Sequence, residues 1–276
     1  MGYFTPKALL VAFYLAVLPG QAGAQAIGEA ADVDFGATLT RSGQVSKLSD
    51  GATVSTGDVI ATNRTGQVQL LFYDETRIAI GPNSQFLVED VRLRSSGTAK
   101  KFTVSAIAGG FRFITGKSQK SAYSIKTPTA TMGIRGTSFD FVVTRRAGTD
   151  LAIYTGAVRI CGASGNCARI SGECNTATID TGGKLDTSDR PSKKDELIAK
   201  GFPFASGQQK LAREFRTSAK SCGGDTMTPA VQANDKESAP RSTPPKEPPP
   251  GPPKEPPREQ PKEQPKERLK PEGLNQ

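Results

Sequence analysis

"TPTATMGIRGTSFDF", residues 127–141, decides how this 276-residue chain is read. Its Gly133-Ile134-Arg135-Gly136-Thr137 core fits two descriptions: a loop whose backbone cradles phosphate, or a corner between two strands. A nucleotide-binding loop needs Gly-x4-Gly-Lys-Ser/Thr between a strand and a helix, with the lysine reaching the terminal phosphates. Here Thr137 follows Gly136, no lysine comes next, and "SFDFVV" (138–143) alternates as a strand does. A dinucleotide fingerprint fails too, because its third glycine and its helix are both missing. The stretch is therefore predicted to be a tight β corner. Gly133 and Gly136 would supply φ > 0 there, and Pro128 would restrain the chain leading into it.

Working outward, the same alternation recurs. In "QVQLLF" (67–72), Val68, Leu70 and Phe72 share one face, and Gln67 and Gln69 share the other. "RIAI" (77–80), "QFLVEDV" (85–91) and "LAIYTGAVRI" (151–160) are separated by turn residues, and in 138–143 Phe139, Phe141 and Val143 oppose Ser138 and Asp140. Period-two alternation with turn signals about every 8–12 residues marks an all-β domain of short antiparallel strands, solenoid-like or sandwich. It is expected over 25–190.

Beyond residue 190 the pattern changes. Ser192 with Asp195 can cap a helix over "KKDELIAK", ended by Gly201. Ser206 with Gln209 can cap a second, in which Leu211 and Phe215 are i,i+4 neighbours. A helical segment is expected over 191–222.

Both ends read as something other than fold. Lys7, the apolar run "ALLVAFYLAVL" (8–18), the Pro19-Gly20 break and Ala22-Gly23-Ala24 predict a cleavable signal peptide over 1–24. The run is shorter than the roughly 20 residues needed to span a bilayer. Residues 240–276 hold 13 of the 20 prolines, interleaved with Lys and Glu, so 223–276 is expected to be a disordered tail of polyproline character. The expected location is periplasmic or secreted.

The four cysteines, Cys161, Cys167, Cys174 and Cys222, suit two disulfides in an oxidising compartment. With no histidine, and spacings unlike common zinc patterns, a metal site is not expected. Cys161 and Cys167 flank the short loop "GASGN", and a bond between Cys174 and Cys222 would staple the helical segment to the β domain. The other two pairings remain open at the level of sequence.

"TGDVIAT" (56–62), "QVQLLFYDETRIAIGPNSQFLVED" (67–90), the 127–141 stretch and "YTGAVRI" (154–160) resemble the FecR family domain, over about residues 45–160. Its most specific element here is Pro128 with Gly133, Arg135, Gly136, Thr137 and Phe139. The resemblance implies an all-β, solenoid-like module without catalytic chemistry. One departure is visible: Asp74-Glu75-Thr76 stands where the family usually has Asp-Gly-Thr. The family's sigma-contacting cytoplasmic segment is not expected to carry over, because only seven residues precede the apolar run.

Without histidine, Ser-His-Asp and Cys-His catalysis are excluded. Ser118 and Lys120 are not marked out as a catalytic pair, and Asp32 and Asp34 lack a calcium-loop pattern. No enzyme activity, cofactor or metal is expected. The prominent feature is charge: residues 92–146 carry eleven basic side chains against the single acid Asp140. Arg92, Arg94, Lys100, Lys101, Arg112, Lys117, Lys120, Arg145 and Arg146 are the expected anionic-ligand surface, with Lys126 and Arg135 also in the span. An envelope polymer or protein is the expected partner, and nucleic acid is not. The alternative expectation is a signalling component acting through a separate transmembrane partner.

Overall fold

Alternation becomes strand almost wherever the sequence shows it. The computed structural model describes residue 2, residues 25–146, 148–187 and 201–217, and residues 198 and 222. The expected signal peptide beyond Gly2, the expected first helix apart from Ile198, and the proline-rich tail lie outside these.

Fifteen strands occur among the described residues: β1 (Ala26–Asp34), β2 (Ala37–Arg41), β3 (Gln44–Lys47), β4 (Thr53–Ser55), β5 (Val59–Thr62), β6 (Gln67–Phe72), β7 (Arg77–Ile80), β8 (Gln85–Leu93), β9 (Ala99–Ile114), β10 (Tyr123–Lys126), β11 (Ala130–Thr144), β12 (Gly148–Gly162), β13 (Cys167–Ser171), β14 (Thr176–Ile179) and β15 (Leu185–Asp186). They hydrogen-bond into a single open sheet, so the fold is all-β. Its pairings are antiparallel, except that β10 runs parallel to β9. Three strands are longer than expected, at 16 residues for β9 and 15 each for β11 and β12.

Local chemistry sets the turns. Ser42 and Gly43 both have positive φ, the geometry of a two-residue hairpin loop whose twist matches its strands. Between β6 and β7 the loop is Tyr73-Asp74-Glu75, closed by Phe72 N–H on the Thr76 carbonyl and Glu75 N–H on the Phe72 carbonyl. Glu75 there takes φ 67°, a left-handed conformation that favours glycine.

The apolar faces read from the sequence converge. Val68, Leu70, Phe72, Phe139, Phe141 and Val143 are all buried in one cluster with Phe86, Phe102, Phe111 and Phe113. Phe111 stacks on Phe141 with ring centroids 5.0 Å apart. Seven buried phenylalanines, each contributing about 2 kcal/mol, make this core the main source of stability.

The 127–141 stretch is not a corner between two strands. It lies mostly within β11, and the bend is a bulge between Arg135 and Ser138. The reason is that β11 changes neighbours along its length. Its first half sits between β10 and β12, and its second half between β9 and β12. A bulge re-aims a strand for such a change. Gly136 takes φ 63° there, whereas Gly133 lies in regular strand. Opposite stands Gly156, where a Cβ would come within 1.9 Å of the Gly136 carbonyl oxygen. Thr137 satisfies the disturbed ladder: its N–H reaches the Thr115 hydroxyl, and its own hydroxyl donates to the Ala157 carbonyl.

Residues 201–217 cover part of the other face of the sheet, over Ala79, Arg112, Ala152 and Tyr154. The helix expected from Ser206 is absent. Instead a single turn, α1 (Pro203–Ser206), is followed by two 3-10 turns, Gln208–Lys210 and Arg213–Phe215. Pro203 starts the first turn and Gly207 ends it, leaving no room for a continuous helix. Leu211 and Phe215 still bury together, with Phe204 and Ala79. A further cluster joins Phe202, Ala205 and Ile198 to Ala152 and Tyr154 beside the Cys174–Cys222 disulfide. The second disulfide is Cys161–Cys167.

Candidate anion-binding trough

The structure divides the basic residues into those with a counter-charge and those without. Arg92 and Lys101 face each other across β8 and β9, and both pair with Asp90, at 2.8 and 2.9 Å. Lys101 and then Arg92 hold the Asp90 carboxyl below its usual range. Lys117 pairs with Glu75 at 3.1 Å, and Lys126 with Glu89. Arg94 donates to the Ala99 carbonyl. Lys100, Arg145 and Arg146 are exposed, at the start of β9 and in the β11–β12 turn.

Arg112 is not on the surface. Phe111 and Phe113 point into the core, which turns Arg112 to the opposite face, but residues 201–217 cover it completely. Its guanidinium makes two hydrogen bonds to Asp140, at 2.7 and 2.9 Å. It also donates to the Gln208 side chain and the Phe204 carbonyl. Burial works against its charge, and the Asp140 carboxylate more than offsets this, holding the group above its ordinary value. Arg112 is therefore part of the scaffold.

What remains is a trough of about 840 Å³ over β10, the first half of β11, the second half of β12 and β13. Four cations line it: Lys120, Arg135, Arg159 and Arg169. Strand register explains their convergence. Gly133 on β11 is opposite Arg159 on β12, and Arg159 is opposite Arg169 on β13, so the row shares one face. Arg135 lies two residues beyond Gly133 on that same face. Lys120 comes from a 3-10 turn, Lys120–Ala122, just before β10, and its Cε lies 3.3 Å from where a Cβ at Gly136 would sit. No carboxylate lines the trough, and none of the four cations has an ion pair among the described residues.

Beneath the Lys120 turn lies a buried polar cluster. Asp74 accepts hydrogen bonds from the Ser118 hydroxyl at 2.7 Å, the Tyr123 hydroxyl at 2.8 Å and the Thr76 N–H at 3.1 Å. Ser118 in turn accepts from Ala99 N–H. The Ser118 hydroxyl is thus committed to Asp74 and holds the turn in place. Burial, with the Asp74 charge beside it, raises the Tyr123 phenol.

Sequence reasoning placed Lys120 on the surface and Arg135 in the family motif, but missed Arg159 and Arg169, which lie outside the 92–146 span. A signal existed. Once Cys161 faces Cys167, antiparallel register sets Arg159 opposite Arg169. Glu173 lies beside Cys174 and Cys222, but both sulfurs are tied in the disulfide and offer no thiolate to a metal. No helix among the described residues is long and apolar enough to cross a membrane.

No curated protein matches the chain. Two crystal structures of a candidate anti-sigma factor from Parabacteroides distasonis align with it at 15% identity and a TM-score of 0.38. Each alignment covers 51% of this chain and 64% of that protein, so this chain spans less than two thirds of its length. The family model described as FecR protein matches residues 58–159, from the first residue before β5 to the trough arginine of β12. That segment, with its Gly136–Thr137 bulge and its Lys120 turn, is similar to the FecR protein family.

Proposed function

We propose that this chain is an exported, non-catalytic binding module that captures an anionic component of the cell envelope in the trough. One observation carries the reading: four cations converge on one open cavity without a counter-charge among the described residues, while the cross-strand cation pair Arg92 and Lys101 is neutralised by Asp90. Unneutralised cations in a concave site raise the local concentration of anions. The expected leader over 1–24 and the two disulfides support an oxidising compartment.

The FecR domain favours a second role built on the same site, in which occupancy of the trough is passed to a separate signalling partner. The test is binding of the purified protein to anionic and neutral envelope polysaccharides over a range of ionic strength. Anionic polymer should be retained at low salt and released at high salt, because screening shortens the reach of exposed charges. The Lys120→Glu, Arg135→Glu double variant should lose binding and keep its fold. Equal retention of neutral polymer, or unchanged binding by the variant, would remove the trough from the function. A transcriptional response that persists in a trough-dead variant would remove the signalling role alone.

A further inference from the structure

Resting on that reading, we infer that Arg159 and Arg169 form a subsite for a phosphate group, and that the occupant of the trough is a phosphorylated saccharide. The two arginines are register partners on neighbouring antiparallel strands, on one face. Like charges placed directly opposite in this way destabilise a sheet. The equivalent pair on β8 and β9 has Asp90 between its members, and this pair has no carboxylate among the described residues.

The fold holds the pair in opposition. β13 bonds only to β12 among the described strands, and such an edge strand is free to slip register. A slip of one residue would send Arg169 to the other face. The Cys161–Cys167 disulfide joins register partners two positions along the same strands and forbids that slip.

The chemistry then selects the anion. One guanidinium fork satisfies the two oxygens of a carboxylate. Two forks side by side need an anion with more oxygens and about two negative charges, and a phosphate monoester has both. Gly133 leaves the other flank of Arg159 open, since a Cβ there would meet nothing within 4 Å. The cavity of about 840 Å³ far exceeds a bare phosphate, leaving room for the sugar that bears it. Gln119 and Ser121 on the wall offer hydrogen bonds to hydroxyls. Arg135 and Lys120 would receive further negative charge along a longer ligand.

The test is calorimetric titration of the full protein with inorganic phosphate, a hexose phosphate and the hexuronate of the same sugar. The hexose phosphate should bind at least about tenfold more tightly than either of the others. Arg159→Gln and Arg169→Gln should each weaken it by about tenfold or more. Without ligand, both variants should melt at the same temperature as the wild type or higher, because a repulsion has been removed. That opposite movement of binding and stability separates a ligand subsite from a merely structural pair. Gly133→Glu, which has open space to enter, should also block binding by pairing with Arg159.

Inorganic phosphate binding as tightly as the hexose phosphate would overturn the saccharide and leave the phosphate subsite. Hexuronate binding as tightly as hexose phosphate, or an unchanged affinity in Arg159→Gln, would overturn the subsite. If carboxylate polymers then still bind through Lys120 and Arg135, the general anion-binding function survives without the subsite. If no anion binds, both fall.

Discussion

Arg112 on β9 and Asp140 on β11 are register partners, both fully buried, and their side chains meet through two hydrogen bonds. The Tyr154 hydroxyl donates to the same carboxylate at 2.9 Å, and the guanidinium lies 5.3 Å from the Tyr154 ring centroid. The ion pair thus links the sheet to residues 201–217 as well as strand to strand.

Removing one partner strands the other charge in the interior. Arg112→Met or Asp140→Leu alone should cost about 3–5 kcal/mol, whereas the double substitution should recover much of that loss. Urea unfolding of the three variants measures it. Limited proteolysis should cut first within 201–217 in both single variants.

Alkaline stability follows from the two buried tyrosines. Burial foremost raises the Tyr154 phenol well above its ordinary value, and burial raises Tyr123 as well. A group whose folded pKa is raised contributes stability that is fully present below the unfolded value, about 10 for tyrosine, and lost as pH climbs through the folded one. Stability should therefore be level through neutral pH and fall above about pH 10. Tyr154→Phe should flatten that fall, which a pH series of thermal melts will reveal.

The family's usual glycine is replaced by Glu75, in a left-handed conformation. Glu75→Gly should stabilise the protein by roughly 1 kcal/mol by relieving the backbone. The lost pairing with Lys117 should matter little, because both side chains are largely exposed. A lower melting temperature in the glycine variant would count against this.

Cys174 and Cys222 close a loop of 48 residues, for which chain entropy gives about 4 kcal/mol. Cys222→Ser should loosen residues 201–217 before the sheet, because the phenylalanine core lies on the other face. Hydrogen exchange should rise at Phe202 and Phe204 and stay slow at Phe111 and Phe139.

The sheet was legible in the sequence where one face is apolar. The positions of Phe139, Phe141 and Val143, and of Val68, Leu70 and Phe72, follow from period two alone. The two disulfides are the pairings that loop length and the position of Cys222 favoured, although the sequence left two other pairings open. Arg112 was misread because its cover comes from Phe204 and Gln208, more than 90 residues downstream, and no local pattern announces a contact of that range. The second helix, expected to start at Ser206, was misread because the spacing of Leu211 and Phe215 is satisfied equally by consecutive tight turns packed on a sheet. The trough was half legible. Charge density pointed to Lys120, and only strand register brings in Arg159 and Arg169.

The separation of the two disulfides along the chain has a consequence for how the protein is oxidised. A chain that emerges from its N-terminus presents Cys161 and Cys167 within one hairpin, six residues apart, long before Cys222 arrives. Closure of so short a loop is fast compared with sulfur chemistry. The hairpin consumes its own two thiols first and leaves Cys174 with a single late partner. Emergence order thereby favours an early bond that does not use Cys222, and the β12–β13 register, which sets Cys161 opposite Cys167, favours that bond over one to Cys174. Thiols trapped early in refolding should show the hairpin bond formed while Cys174 and Cys222 are still reduced.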